Sequence, residues 1–164
     1  MNGLMNLVER EESKMSIVIK PPTKLLAAYG SASVFLAGSI EMGKADNWQA
    51  RIEQLLPDNV VVFNPRRDDW DSSWEEVKSN PQFREQVEWE LNALEESDVI
   101  IMHFVPDTMS PISLLEFGLY ARNKKLFVSC PKGFWRKGNV DITSAKYGLP
   151  VYENIDELLL EFYL

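Results

Sequence analysis

The chain has 164 residues, 45% of them hydrophobic, a formal net charge of −8 and a single cysteine, Cys130. That suits one domain with a proper core; it argues against nucleic acid or an anionic membrane as the main partner, since both need a basic footprint, and against a disulfide framework or a thiolate metal cluster. A small anionic ligand stays open, no apolar run approaches the ~20 residues that span a bilayer, the first residues lack an apolar signal core, and the expected address is the cytoplasm.

Residues 1–24 read as an N-terminal extension, a candidate for disorder, broken near its end by "KPPTK"; residues 25–164 read as one domain whose core begins near Ser33. "SVFLAG" is a short apolar run ending in Gly38, a buried strand followed by a turn. "KADNWQARIEQLL" spaces Trp48, Ile52 and Leu55 as a helix does, and "NVVVFNP" is a β-branched strand stopped by Pro65. "RRDDWDSSWEEVKSN" reads as a loop with a short helix. "PQFREQVEWELNALEES" opens on proline and sets Phe83, Val87, Leu91 and Leu94 on one face, with Trp89 opposite as a hint of a subunit contact. "DVIIMHF", "KLFVSC" and "LPVYEN" read as further strands, and "SPISLLEFGLYARN", "DITSAKYG" and "IDELLLEFYL" as helices. Strands alternating with helices imply βαβ units and a doubly wound α/β domain with a mostly parallel, about five-stranded, flavodoxin-like or Rossmann-like sheet. Ligands of such folds sit beyond the carboxyl ends of the strands, which directs attention to Gly38–Lys44, Asn64–Asp71, His103–Glu116 and Pro131–Asn139.

"GSIEMGKA" nearly spells a phosphate-binding loop in the right place, but Ala45 stands where the Mg²⁺-binding hydroxyl belongs, and neither later strand ends in the acid such a site uses. A glycine-rich turn, or a loop whose backbone N–H groups face a ligand, remains, with Gly38 and Ser39 at its head. Asp68, Asp69 and Asp71 could hold a hard cation or be helix caps and solvated charge. Together with Arg66, Arg67 and Trp70 they could also hydrogen-bond and stack a nucleobase, against the plainer reading of a solvated loop. His103, which has no second histidine or cysteine at ligand spacing, reads as a half-buried structural residue, and Cys130 as an inert core thiol.

Ser110 and Pro111 open a helix as N-cap and first residue. At about 100° per residue Ile112, Leu115 and Leu119 form one face, with Glu116 on its edge. A carboxylate there is partly desolvated, which is costly without a partner or a task. Glu90 repeats the pattern on the preceding helix. Two such acids flanking one strand could meet across a cleft, one ionised and one protonated, as glycosyl transfer requires.

"FLAGSI", "NPRRDDWD", "WELNALEESDVIIMHF" and "SPISLLEFGLYA", in this order and spacing, resemble the nucleoside 2-deoxyribosyltransferase family and its relatives, the 2′-deoxynucleoside 5′-phosphate N-hydrolases, from about Val34 to Leu159. The resemblance implies Glu116 as the nucleophile on the anomeric carbon and Glu90 where an aspartate usually helps protonate the leaving base. It implies substrate contacts from Gly38, Ser39, Asn64, Asp69, Trp70 and Ser110, and neither metal nor other cofactor. Transferases often have aspartate at the position of Ser110, to hold the sugar 5′-hydroxyl; the nucleotide hydrolases have serine, so Ser110 points to a 5′-phosphate at the helix N-terminus. Homo-oligomers that share their sites are also implied, with Asn139 as the residue lent to a neighbour. The expected function is cleavage or transfer of the N-glycosidic bond of a (deoxy)nucleoside or nucleotide through a glutamyl glycosyl-enzyme, an acceptor base or water completing the reaction. The alternatives are a deoxynucleoside 5′-monophosphate N-glycosidase and a non-catalytic nucleotide-binding or sensing module.

Overall fold

A computed structural model describes residues 16–25, 31–41 and 45–162. The expectations for residues 1–15, and for Gly43 and Lys44 of the glycine-rich loop, lie outside the described residues. The strands are β1 (Ile17–Ile19), β2 (Ser33–Gly38), β3 (Val61–Phe63), β4 (Val99–His103), β5 (Leu126–Ser129) and β6 (Val151–Tyr152). The helices are α1 (Trp48–Leu55), α2 (Pro81–Glu96), α3 (Pro111–Tyr120), α4 (Lys137–Tyr147) and α5 (Ile155–Leu160).

The strands form one sheet in the order β1-β3-β2-β4-β5-β6, every pair parallel. This is the doubly wound α/β architecture that alternating strands and helices imply, with six strands where the sequence pattern counted five. The sixth is β1, drawn from the stretch read as an extension; it pairs Ile17 with Val61 and Ile19 with Phe63 at the sheet edge. Three residues with two prolines one residue beyond them carry too short a pattern to announce a strand. Its exit is also held, because Trp89 Nε1 donates to Thr23 O at 2.7 Å.

Side chains alternate across β2 as a two-faced strand requires. Phe35 and Ala37 join α2, α3 and α4 on one face, with Trp89, Leu94, Phe117 and Val140. Val34 and Leu36 join α1 and α5 on the other, with Trp48, Ile52 and Leu158. Asn80 caps α2 by accepting from Phe83 N at 3.0 Å. Lys125 Nζ closes the other end of α2, donating to Leu94 O, Glu95 O and Ser97 O at 2.7–3.0 Å. Residues 66–80 contain turns and bends and no helix. Their charged side chains pair locally, as Asp71 does with Ser73 N at 2.8 Å, rather than forming an apolar stripe that a helix could bury.

Two corrections concern which side of a helix faces the core. Ile112, Leu115 and Leu119 are 59, 56 and 58% exposed, while Ser113, Glu116, Phe117 and Tyr120 are buried. Both sets have helical spacing, and α3 is apolar nearly all round. The aromatic set wins because Phe117 packs edge-on against Phe104, their ring centroids 6.2 Å apart. On α2, Trp89 lies in the core, edge-on to Phe63, while Leu91 is exposed; an indole with a backbone acceptor for its N–H displaces leucine from the interior.

The chain winds outward from β2 to β3, then returns to add β4 on the other side of β2. The topological switch point is therefore between β2 and β4, beyond Gly38 and His103, where such sheets open a crevice. Gly38 is required there by close approach. Its φ is +139°, and a Cβ would stand 2.1 Å from His103 O.

Candidate active site

Four hydrogen bonds among hydroxyl and backbone groups lock the crevice floor. Ser39 N donates to His103 O at 3.0 Å, and Ser39 Oγ accepts from Val105 N at 2.9 Å. The same hydroxyl lies 2.9 Å from Thr108 Oγ1 and 2.5 Å from Ser110 Oγ. The ends of β2 and β4 are thereby tied to the start of α3. Ser110 holds a left-handed backbone and its side chain makes no cap bond, its hydroxyl being engaged in this cluster.

From that anchored start, α3 carries Glu116 inward. The residue is 6% exposed, on the helix that packs against the sheet face that also receives α2. The carboxyl is raised to about 8, first by burial and then by the charge of Glu90. Glu90, on α2, is raised to about 7 by burial, a hydrogen bond from Gln86 pulling the other way. Neither forms an ion pair among the described residues. The two protons belong to the pair rather than to either carboxyl. Near neutral pH such a pair holds one charge and one proton, the state that acid–base work on a glycosidic bond needs.

Gln86 was not singled out from the sequence, although it stands one helical turn before Glu90. Its Nε2 bridges Glu90 Oε1 at 2.7 Å and Pro65 O at 3.0 Å, aiming the carboxyl and tying it to the loop after β3. Gln86 Oε1, Gln49 Nε2 and Trp70 Nε1 are buried with no hydrogen-bond partner among the described residues. All three belong to or touch that loop: Gln49 Oε1 accepts from Arg66 Nε at 2.8 Å, and Trp70 packs edge-on against Trp74. Buried polar atoms of this kind call for an explanation, and a polar ligand is one.

The other candidate residues are distributed as follows. Asn64 is buried, Nδ2 donating to Glu53 Oε1 at 2.5 Å and Oδ1 accepting from Arg66 N at 2.9 Å, so its polar atoms already serve the β3 loop. Asp69 is exposed and accepts from Arg67 Nε at 2.7 Å. Arg67, its side chain only 5% exposed, also pairs with Glu85 and lies over Trp74. Asp68 pairs with Lys20 at 2.9 Å, and Asp71 with the Ser73 backbone, so the three aspartates of this loop are engaged separately. His103 contacts Ser129 Oγ through Nδ1 at 3.0 Å and lies edge-on to Trp48; burial holds its pKa down to about 4. Cys130 is buried and its thiol pushed up to about 12. Asn139 is exposed on α4. No helix among the described residues is long and apolar enough to cross a membrane.

The raised carboxyls have a stability signature. Folded protein holds protons that the unfolded chain releases at ordinary carboxylate pKa values, so this contribution is complete at low pH and is lost as pH rises through about 7–8. His103 has the opposite sign, and its effect is complete once pH passes the ordinary histidine value of ~6.5. At pH 8.5 Glu116→Gln should therefore unfold at a temperature roughly 5–10 °C above the wild type, an effect on the order of 3 kcal/mol, and the difference should shrink toward pH 5. Thermal unfolding monitored by circular dichroism across this range checks it; a variant less stable than wild type at pH 8.5 contradicts the burial of Glu116.

A family model described as nucleoside 2-deoxyribosyltransferase like matches residues 31–134. No curated protein matches the chain. The matched span runs from the entrance of β2 past the end of β5 and holds the hydroxyl cluster, the β3 loop and both Glu90 and Glu116. It covers well over half of the 164 residues. With the parallel sheet and its switch point, this establishes that the chain belongs to the nucleoside 2-deoxyribosyltransferase-like family.

Proposed function

We propose that the protein cleaves or transfers the N-glycosidic bond of a (deoxy)nucleoside or nucleotide by double displacement at Glu116. The observation that carries this reading is the pair of carboxyl groups, Glu116 buried and Glu90 half-buried on neighbouring helices, without a cation among the described residues and each shifted upward by desolvation. In the resting pair the higher pKa of Glu116 and the Gln86 hydrogen bond to Glu90 favour the proton on Glu116, so the first half-reaction opens with transfer of that proton to Glu90. An oxygen of the ionised Glu116 then bonds to the anomeric carbon as the bond from that carbon to the base nitrogen breaks. Protonated Glu90 delivers its proton to the leaving base. In the second, Glu90 takes a proton from water or from an incoming base, which attacks the anomeric carbon and releases Glu116. Burial favours this path because the oxocarbenium-like transition state brings positive charge next to a desolvated carboxylate. The unpartnered polar atoms of Gln49, Gln86 and Trp70 support the β3 loop as the place for the base, and the hydroxyl cluster beside Ser110 supports the start of α3 as the place for the sugar.

The protein acts as a homo-oligomer in this reading. Ile112, Leu115 and Leu119 lay an apolar stripe on the outer side of α3. On α4, the helix after β5, Asn139 and the 74% exposed Ile142 share a face. A second copy covering these helices would shield the stripe and bring Asn139 toward its neighbour's site. Leu115→Glu, at a position exposed in the protomer, should lower the mass found by light scattering at micromolar concentration and lower activity with it. A wild type that is monomeric and fully active contradicts the shared site.

Catalysis is tested on the carboxyls themselves. Glu116→Gln keeps the shape and removes the attacking charge; kcat should fall by roughly three orders of magnitude or more, each factor of ten being about 1.4 kcal/mol, with little change in ligand affinity. Glu90→Gln should cost less for substrates whose base leaves without protonation, and should remove one limb of the pH–rate profile. Initial rates on a panel of nucleosides and 5′-monophosphates, with and without an acceptor base, measure both. Near-normal turnover by Glu116→Gln makes Glu116 a structural carboxyl.

A further inference from the structure

A carboxylate from the loop after β2 already occupies the start of α3. Glu41 Oε1 accepts from the backbone N–H groups of Met109 and of Ser110, the latter at 2.6 Å. Ser110, the residue expected to cap this helix, uses its hydroxyl elsewhere, on Ser39 and Thr108. Glu41 and Ser110 both hold left-handed backbone, with φ of 43° and 46°. That conformation is uncommon outside glycine and is held where surrounding contacts fix it. Two such residues facing each other across a pair of hydrogen bonds mark a built contact rather than a chance approach of a surface side chain.

The position gives the contact its meaning. Ser110 precedes Glu116 by six residues, about 9 Å along the helix at 1.5 Å per residue, and the Glu116 side chain leans back toward that end. In the glycosyl-transfer reading, that separation lets a pentose with its anomeric carbon at Glu116 set its 5′ substituent toward Met109 and Ser110. A 5′-phosphate arriving there would seek the same two N–H groups and the same positive helix end. Glu41 already fills them and adds a negative charge that repels a second anion. A neutral 5′-hydroxyl meets the opposite situation, because Glu41 Oε2 accepts no hydrogen bond among the described residues and can take one from it.

We propose that Glu41 sets the substrate class of the site: its carboxylate, held on the N–H groups of Met109 and Ser110, accepts the free 5′-hydroxyl of a nucleoside and shuts out a 5′-phosphate. The inference rests on the glycosyl-transfer reading of Glu116 and Glu90, and it reverses what Ser110 alone implies, since the carboxylate missing at Ser110 arrives from Glu41.

Rates and equilibrium affinities for matched pairs, each 2′-deoxynucleoside with its own 5′-monophosphate, test it. The wild type should favour the nucleoside. Glu41→Gln, which keeps the shape and removes the charge, should move the nucleoside-to-monophosphate ratio at least about tenfold toward the monophosphate. Glu41→Asp should retain the nucleoside preference. The readout is a ratio within one protein, so partial unfolding of a variant does not imitate the shift. A wild type that favours the monophosphate, or a ratio unmoved in Glu41→Gln while turnover continues, overturns the role of Glu41 and leaves the glycosyl-transfer reading standing. Absent turnover with the affinity ratio still shifting keeps Glu41 and removes the catalytic reading. Failure to bind either member of every pair removes both.

Discussion

The desolvation of two carboxyl groups, Glu116 buried and Glu90 half-buried, on helices that pack on one face of the sheet is the constraint around which the rest of this protein is arranged. A single buried acid would protonate and rest; two within reach of each other's charge hold a proton between them and stay chemically poised near neutral pH. That arrangement is unfavourable for folding, and the surroundings are built to sustain it. Gln86 fixes Glu90 to the β3 loop. Phe117 anchors the face of α3 that carries Glu116 by packing on Phe104. Lys125 holds the far end of α2 through three backbone carbonyls. The cost of the site is thus spread over helix caps, aromatic packing and backbone bonds remote from the carboxyls.

The second organising feature is the junction of β2, β4 and α3. Gly38 lets the β2 backbone lie against His103, and Ser39 then reaches Val105, Thr108 and Ser110. Because one short segment sets the start of α3, a small change there would move Glu116 by the same rigid helix. Glu41 belongs to this junction, so the group proposed to read the sugar's far end and the group proposed to attack its anomeric carbon are mounted on one frame. In the β3 loop Arg66, Arg67 and Asn64 are engaged within the protein, while Trp70 carries a buried N–H with no partner among the described residues.

Much of this was legible in the sequence. Strands buried on both faces are written as unbroken apolar runs, so "SVFLAG", "VIIMH" and "LFVS" name themselves, and proline marks the starts of α2 and α3. The family could be read from the order of the motifs, because each falls at the end of a strand. The phase of α3 could not be read. A helix apolar nearly all round offers two stripes, and only the tertiary contact with Phe104 chooses between them. The error placed Glu116 at an edge when it lies in the middle of the buried face, which strengthens the argument for its altered chemistry. Trp89 misled for a related reason, since its N–H finds an acceptor in Thr23, 66 residues away in the chain. Gln86 and Glu41 escaped notice because polar residues in a helix and a loop look ordinary until the fold brings Glu90 beside one and the start of α3 beside the other.

The central claim is that Glu116 forms a bond to the sugar. It is tested most directly by incubating the protein with a slow 2-fluoro-sugar nucleoside, digesting it and locating the added mass by tandem mass spectrometry. The account predicts one sugar adduct, on the peptide that contains Glu116, absent from Glu116→Gln and lost when an acceptor base is added. An adduct on Glu90 or another residue, or turnover of the parent nucleoside with no adduct under trapping conditions, would contradict it.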